Sequence, residues 1–180
     1  MEIRADFQLK SVIKALKDNV IPAVDPNHKM AVEQAHLAVH VLQVLADKLP
    51  MQYRYDRHEL NQYVNLADRL ATQISGGAKT TDALAQLEAL VEPGKNTLER
   101  ARAEPIELEQ ALLHLRAKVG DLVEAALEDG DETSQKHLEK EIMASAREQL
   151  TRERSWLIPM GFEPDPAALT PVEQLLDPVK

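Results

Sequence analysis

The chain contains no cysteine. Disulfide staples, thiolate nucleophiles and thiolate metal ligands are therefore excluded. Aromatic residues are nearly as scarce, at 3% of 180 residues, with one Trp, three Tyr and two Phe. The apolar 44% is mostly Leu, Ala and Val. Leu and Ala lose little freedom in a helix, so this balance favours helix over sheet. No segment shows the alternating β-branched pattern of a strand. Long apolar runs are also missing. Nothing approaches the roughly eighteen uncharged apolar residues that a membrane-spanning helix needs. The opening MEIRADFQLK has no apolar h-region, so no secretory signal is read. The expectation is a soluble, cytoplasmic protein.

Positive charge is in deficit. Lys and Arg total 21 against 30 Asp and Glu, a net charge of −9. That balance repels phosphate backbones and anionic lipid, so neither a nucleic-acid partner nor a membrane is expected. Several catalytic signatures are missing too. There is no Gly-x-Gly-x-x-Gly, no Gly-Lys-Ser/Thr phosphate loop and no Gly-x-Ser-x-Gly elbow. No complete catalytic constellation is visible, and the reading leans away from an enzyme.

What is present is helical periodicity between breakers. The first helix is expected from about Ile3 to Asn19, with Leu9, Val12, Ile13, Leu16 and Val20 repeating at three and four residues. The second runs from about Asn27 to Leu49. A third follows Pro50 and carries Leu60, Val64, Ala67, Leu70, Ala71 and Ile74 on one face. A shorter helix follows GGAKTTD, with Thr80 or Thr81 as cap, Leu84, Leu87 and Val91 as stripe, and EPGKN as its break. Pro105 suits a first helical position. From it, Leu108, Leu112, Leu115, Val119, Leu122 and Ala126 form the fifth stripe. Asp131 or Thr133 then starts a sixth helix carrying Leu138, Ile142, Ala146, Leu150 and Leu157.

Short links force neighbouring helices to run antiparallel. The expected fold is all-α: an elongated up-and-down four-helix bundle over residues 1–158, with one or two additional shorter helices. The four long helices of about 22 to 26 residues would each span roughly 33–39 Å. Residues 159–180 read as a separate proline-rich C-terminal extension. Its apolar side chains suggest that it packs on the bundle or on a partner subunit.

Two stretches carry candidate chemistry. In the second helix, Lys29, Glu33, His36, His40, Gln43 and Asp47 fall in a wedge about 80° wide at 100° per residue. Almost everything else on that helix is apolar. A two-contact bundle helix needs an apolar arc of about 100–140°, and this one is roughly twice as wide. Either the shorter helices or a second protomer must cover it, which makes a homodimer the expected state. Read as a solvated edge, the wedge is ordinary. Turned inward, Glu33, His36 and His40 have ligand spacing for a divalent metal such as Fe, Mn or Zn. A di-iron bundle would need a second Glu-x-x-His, and the sequence has none. His114 and His137 are further candidates by residue type alone.

The second stretch is MQYRYDRHELNQY, which gathers all three tyrosines. Tyr53, Arg54, Arg57 and His58 suit a contact patch for a protein partner or a small anion. A ligand pocket between the helices near these tyrosines is a further reading. The function expected from the sequence is binding or assembly rather than catalysis. The alternative is a metal- or small-molecule-binding bundle using Glu33, His36 and His40. No cofactor is required by the first reading.

Overall fold

The computed structural model describes residues 4–100 and 103–177. The expected start of the first helix at Ile3 and the end of the tail at Pro178–Lys180 lie outside these residues. The protein is all-α. Its helices are α1 (Ala5–Ala15), α2 (Lys29–Lys48), α3 (Gln52–Gln73), α4 (Ala78–Glu99), α5 (Pro105–Asp129), α6 (Glu132–Trp156) and the single turn α7 (Val172–Leu175). Among the described residues the only extended pairing is an isolated antiparallel bridge between Gly76 and Gly130.

The chain divides into two compact units, Tyr53–Leu150 with Leu176–Lys180, and Met1–Gln52 with Thr151–Leu175. In the first, one core is shared by α3, α4, α5 and the N-terminal part of α6. Leu60, Val64, Ala67, Leu70 and Ile74 come from α3 and the residue after it, Leu87 and Val91 from α4, and Leu138 from α6. All six residues of the expected α5 stripe are buried, from Leu108 to Ala126. Apolar area removed from water at this density is the main stabilising term of the unit.

α4 corrects the sequence reading. It does not stop at EPGKN but runs unbroken through Pro93 and Gly94 to Glu99. Proline in a helix interior loses one backbone bond and crowds the preceding turn. Tertiary contacts outweigh that cost here. Val91 is buried before the proline and Leu98 packs on the core after it. Gly94 is also buried, so close to α3 that a Cβ built on it would lie 2.8 Å from Val64 Cγ2. The start of α4 differs as well. Neither Thr80 nor Thr81 is its N-cap residue. Gly77 holds that position, and the capping carboxylate comes from Asp129 at the end of α5.

Asp129 accepts from the amides of Lys79 at 2.8 Å and Thr80 at 3.0 Å, and from the Thr80 hydroxyl at 2.5 Å. The hydroxyl bond, with the two amides, draws its carboxyl below the ordinary range. Asp131 caps α6 in the same way. It accepts from the Ser134 amide and hydroxyl, both at 2.9 Å, and from the Ser75 hydroxyl at 2.8 Å. Those bonds, the Ser134 amide first, lower its carboxyl to about 2. Anions belong at helix N-termini because the first turn's amides have no partners inside the helix. Here both carboxylates come from where α5 gives way to α6, one serving the start of α4 and the other the start of α6.

The second unit is built differently. α1 continues as a π-helical turn (Leu16–Val20) and a 3-10 turn (Ile21–Ala23) and packs against α2. None of its residues is buried. α2 buries only Val39, Val44 and Ala46. The stretch after α6 returns to this unit. Arg154 forms a fork with the Glu163 carboxylate at 2.7 and 3.0 Å, and the Ser155 hydroxyl donates to the Thr170 carbonyl at 2.8 Å. Val172 is buried. The sixth stripe fails over its second half: Leu150 and Leu157 are exposed, and Arg152 and Ser155 are buried instead.

Candidate functional site

α2 begins after a local turn. The Asn27 amide donates to the Asp25 carboxylate at 2.9 Å, and His28 Nδ1 accepts from the Ala31 amide at 3.1 Å. One of the helix's three histidines is thus a cap. Glu33, His36 and His40 all lie on the exposed polar edge. Among the described residues, no group of three His, Asp or Glu side chains is placed to hold a metal ion. His114 and His137 are exposed on α5 and α6.

The rest of the α2 surface is less ordinary. Two strips face solvent, not one. Besides the polar edge, Met30, Ala38, Val41 and Leu45 form an exposed apolar strip, with Gln34 the polar residue on it. Met30 is 62% exposed, Val41 42% and Leu45 52%, and Leu49 just beyond the helix is 43% exposed. Positions 30, 34, 38, 41, 45 and 49 step by four, four, three, four and four. That spacing keeps a seam on one side of a helix. A groove of about 390 Å³ between α2 and α1 with its π turn has Lys10, Lys14, Lys17, Asp18 and Asp47 in its lining, so its charges are mixed.

The tyrosine–arginine stretch is turned to internal use. The Tyr53 hydroxyl donates to the Ala103 carbonyl at 3.3 Å, and Arg57 donates to the Leu98 carbonyl. Arg54 donates to the carbonyls of Asp177 at 2.7 Å and Leu176 at 2.8 Å. His58, 5% exposed, accepts from the Asp177 amide through Nδ1 at 3.1 Å. Asn61 donates to the Asp177 carboxylate at 3.0 Å. Four side chains of one helix therefore read the main chain of the last turn of α4, of the α4–α5 link and of residues 176–177. Arginine's planar fork suits paired carbonyls as well as anions. This is recognition chemistry, directed at the chain itself.

A second groove, of about 400 Å³, lies among α3, α5 and α6, with Tyr63, Arg116, Gly120, Glu124, Ile142 and Ala146 in its lining. Arg116 donates to Glu59, and its guanidinium sits 5.0 Å from the Tyr63 ring centroid. The sequence reading missed Arg116 and Gly120. The available signal was a glycine in the middle of a strong heptad stripe, where it costs helix stability without marking an end.

No family model matches the chain, and neither a curated protein nor a solved structure matches it.

Proposed function

We propose that the protein works by binding and assembly, and that the apolar strip of α2 is where a second copy of the chain docks. The observation that carries this reading is the exposed seam Met30–Ala38–Val41–Leu45 on a helix that already packs against α1. From Met30 to Leu45 the strip runs about 22 Å at 1.5 Å per residue. A copy related by a twofold axis would lay the same strip against it, giving a self-complementary contact. Exposed apolar side chains in a contiguous row favour such a contact, whereas scattered ones do not.

Light scattering after gel filtration tests the reading, over a hundredfold range of loading concentration. The expected result is a dimer that dissociates on dilution. The double substitution Val41→Glu/Leu45→Glu puts two charges in the seam and should leave a monomer of unchanged helicity by circular dichroism. A native chain that stays monomeric at the highest concentration would overturn the proposal. So would a double variant that dimerises as well as the native chain.

A further inference from the structure

Residues 176–177 follow the single turn α7 and lie on α3 in the manner of a bound peptide. Arg54 donates through Nε to the Asp177 carbonyl at 2.7 Å and through Nη2 to the Leu176 carbonyl at 2.8 Å. The Asp177 amide donates to His58 Nδ1 at 3.1 Å, and the Asp177 carboxylate accepts from Asn61 Nδ2 at 3.0 Å. Two carbonyls, an amide and a carboxylate are thus each met by a side chain of α3. The Leu176 side chain is buried, at 5% exposure.

The first telling feature is what these contacts read. Three of the four bonds go to main-chain atoms, which any segment carries. The carboxylate and the buried leucine supply the selectivity. This division of labour, main chain for affinity and side chains for choice, is that of peptide recognition.

His58 is the second. Its Nδ1 lies 3.1 Å from the Asp177 carboxylate as well as from the amide. Unprotonated, Nδ1 accepts from the amide; protonated, it donates to the carboxylate. An acidic residue at this place is held in either state.

The third is the ease of release. Leu176 is buried but is not among the residues of the core shared by α3, α4, α5 and α6. The bonds of Arg54 Nε and Asn61 are exposed, so water replaces them at small net cost. A segment held in this way can open locally while the core stays closed.

We infer that the Arg54–His58–Asn61 face of α3 is a peptide-binding site shut in cis by residues 176–177, and that its ligand in trans is a segment of a partner protein carrying leucine followed by an acidic residue. A segment on the same chain competes at an effective concentration of about millimolar. The site is therefore closed in the native chain and opens to a partner when residues 176–177 are displaced.

Fluorescence anisotropy of a labelled synthetic peptide, QLLDPVK, which repeats residues 174–180, tests this on the full chain. Leu176→Glu/Asp177→Lys should release the segment at unchanged helicity and bind the peptide at least about tenfold more tightly than the native chain. Adding Arg54→Ala/Asn61→Ala to that variant should abolish binding. The peptide with lysine in place of its aspartate should bind the released chain about tenfold more weakly. Asp177→Lys alone is the gentler opening should the double variant lose helicity.

A released chain of native helicity that leaves the peptide free would overturn the inference. Loss of helicity in both opened variants would make residues 176–177 a part of the fold and overturn it equally. Binding that survives Arg54→Ala/Asn61→Ala would overturn the site, and equal binding by the native chain would overturn its closure in cis. Equal binding of the lysine peptide would overturn the acidic class.

Discussion

The two compact units handle apolar residues in opposite ways. In the α3–α6 unit, α5 buries its whole stripe, and Leu60, Leu87 and Leu122 are at 0% exposure. In the α1–α2 unit, α1 buries nothing, and its Val12 is 49% exposed. Both regions are helical and amphipathic, so secondary structure does not separate them. The number of neighbours each helix meets does. A helix surrounded on several sides converts its apolar face into stability. A helix with one neighbour keeps part of that face as surface. The first arrangement supplies a scaffold, and the second supplies the strip on α2 that the assembly reading uses.

The largest expected effect contrasts a core leucine with an exposed valine. Leu115 is 1% exposed in the shared core. Leu115→Ala should cost about 3 kcal/mol, the middle of the range for truncating a buried leucine. Val12→Ala in α1 should cost about 0.5 kcal/mol or less, as expected for a surface change. Urea denaturation followed by circular dichroism measures both. Comparable losses would remove the distinction between the two units.

Particular residues show how much of this was legible beforehand. The α5 stripe was readable to the residue, because a sustained four–three step has one outcome on a helix. The end of α4 was misread. Pro93-Gly94 is a strong local breaker, and what carries the helix through it is the packing of Val91 and Leu98 on a core whose other members, Val64 among them, lie far away in sequence. The excess apolar width of α2 was visible, but which part of it stays uncovered depends on where α1 packs. Tyr53, Arg54, Arg57 and His58 stood out by type, while their partners did not. Those partners lie at the end of α4, in the α4–α5 link and at residues 176–177, and no spacing rule connects them to α3.

A smaller effect probes how tightly the α3–α6 unit is packed. Gly94→Ala places a methyl 2.8 Å from Val64 Cγ2, and Val64 is itself 2% exposed. Overpacking of this kind costs about 1–3 kcal/mol, against a helix-propensity gain of about 1 kcal/mol for replacing glycine by alanine. The net expectation is a loss of about 1 kcal/mol. Gly120→Ala, with nothing within 4 Å, keeps the gain without the clash and should stabilise by about 0.5–1 kcal/mol. Opposite signs for one substitution on neighbouring helices would sharpen the picture of a dense core beside an open groove. Equal signs would contradict it.

The smallest effect concerns acid, and both units contribute to it. Asp131 holds the α3–α6 unit at its loop end with its carboxyl lowered to about 2 from 3.8. Glu163 in the other unit is lowered chiefly by its fork with Arg154. A carboxyl depressed in the folded chain binds its proton more weakly there than in the unfolded chain. For Asp131 the stabilisation is therefore complete above its unfolded value near 3.8 and is lost as pH falls from there towards about 2. Asp131→Asn removes that titration. The variant should be less stable than the native chain at pH 7, and the gap should close as pH falls below about 3. Glu163→Gln should behave the same way with a smaller gap, because its carboxyl is lowered mainly by a fork with an exposed arginine and less by the Asp165 amide, whereas Asp131 accepts from two hydroxyls and a backbone amide. Thermal midpoints between pH 2 and pH 7 measure both differences. A gap for Asp131→Asn that stays constant across that range would show that its carboxylate charge is not what the loop end uses.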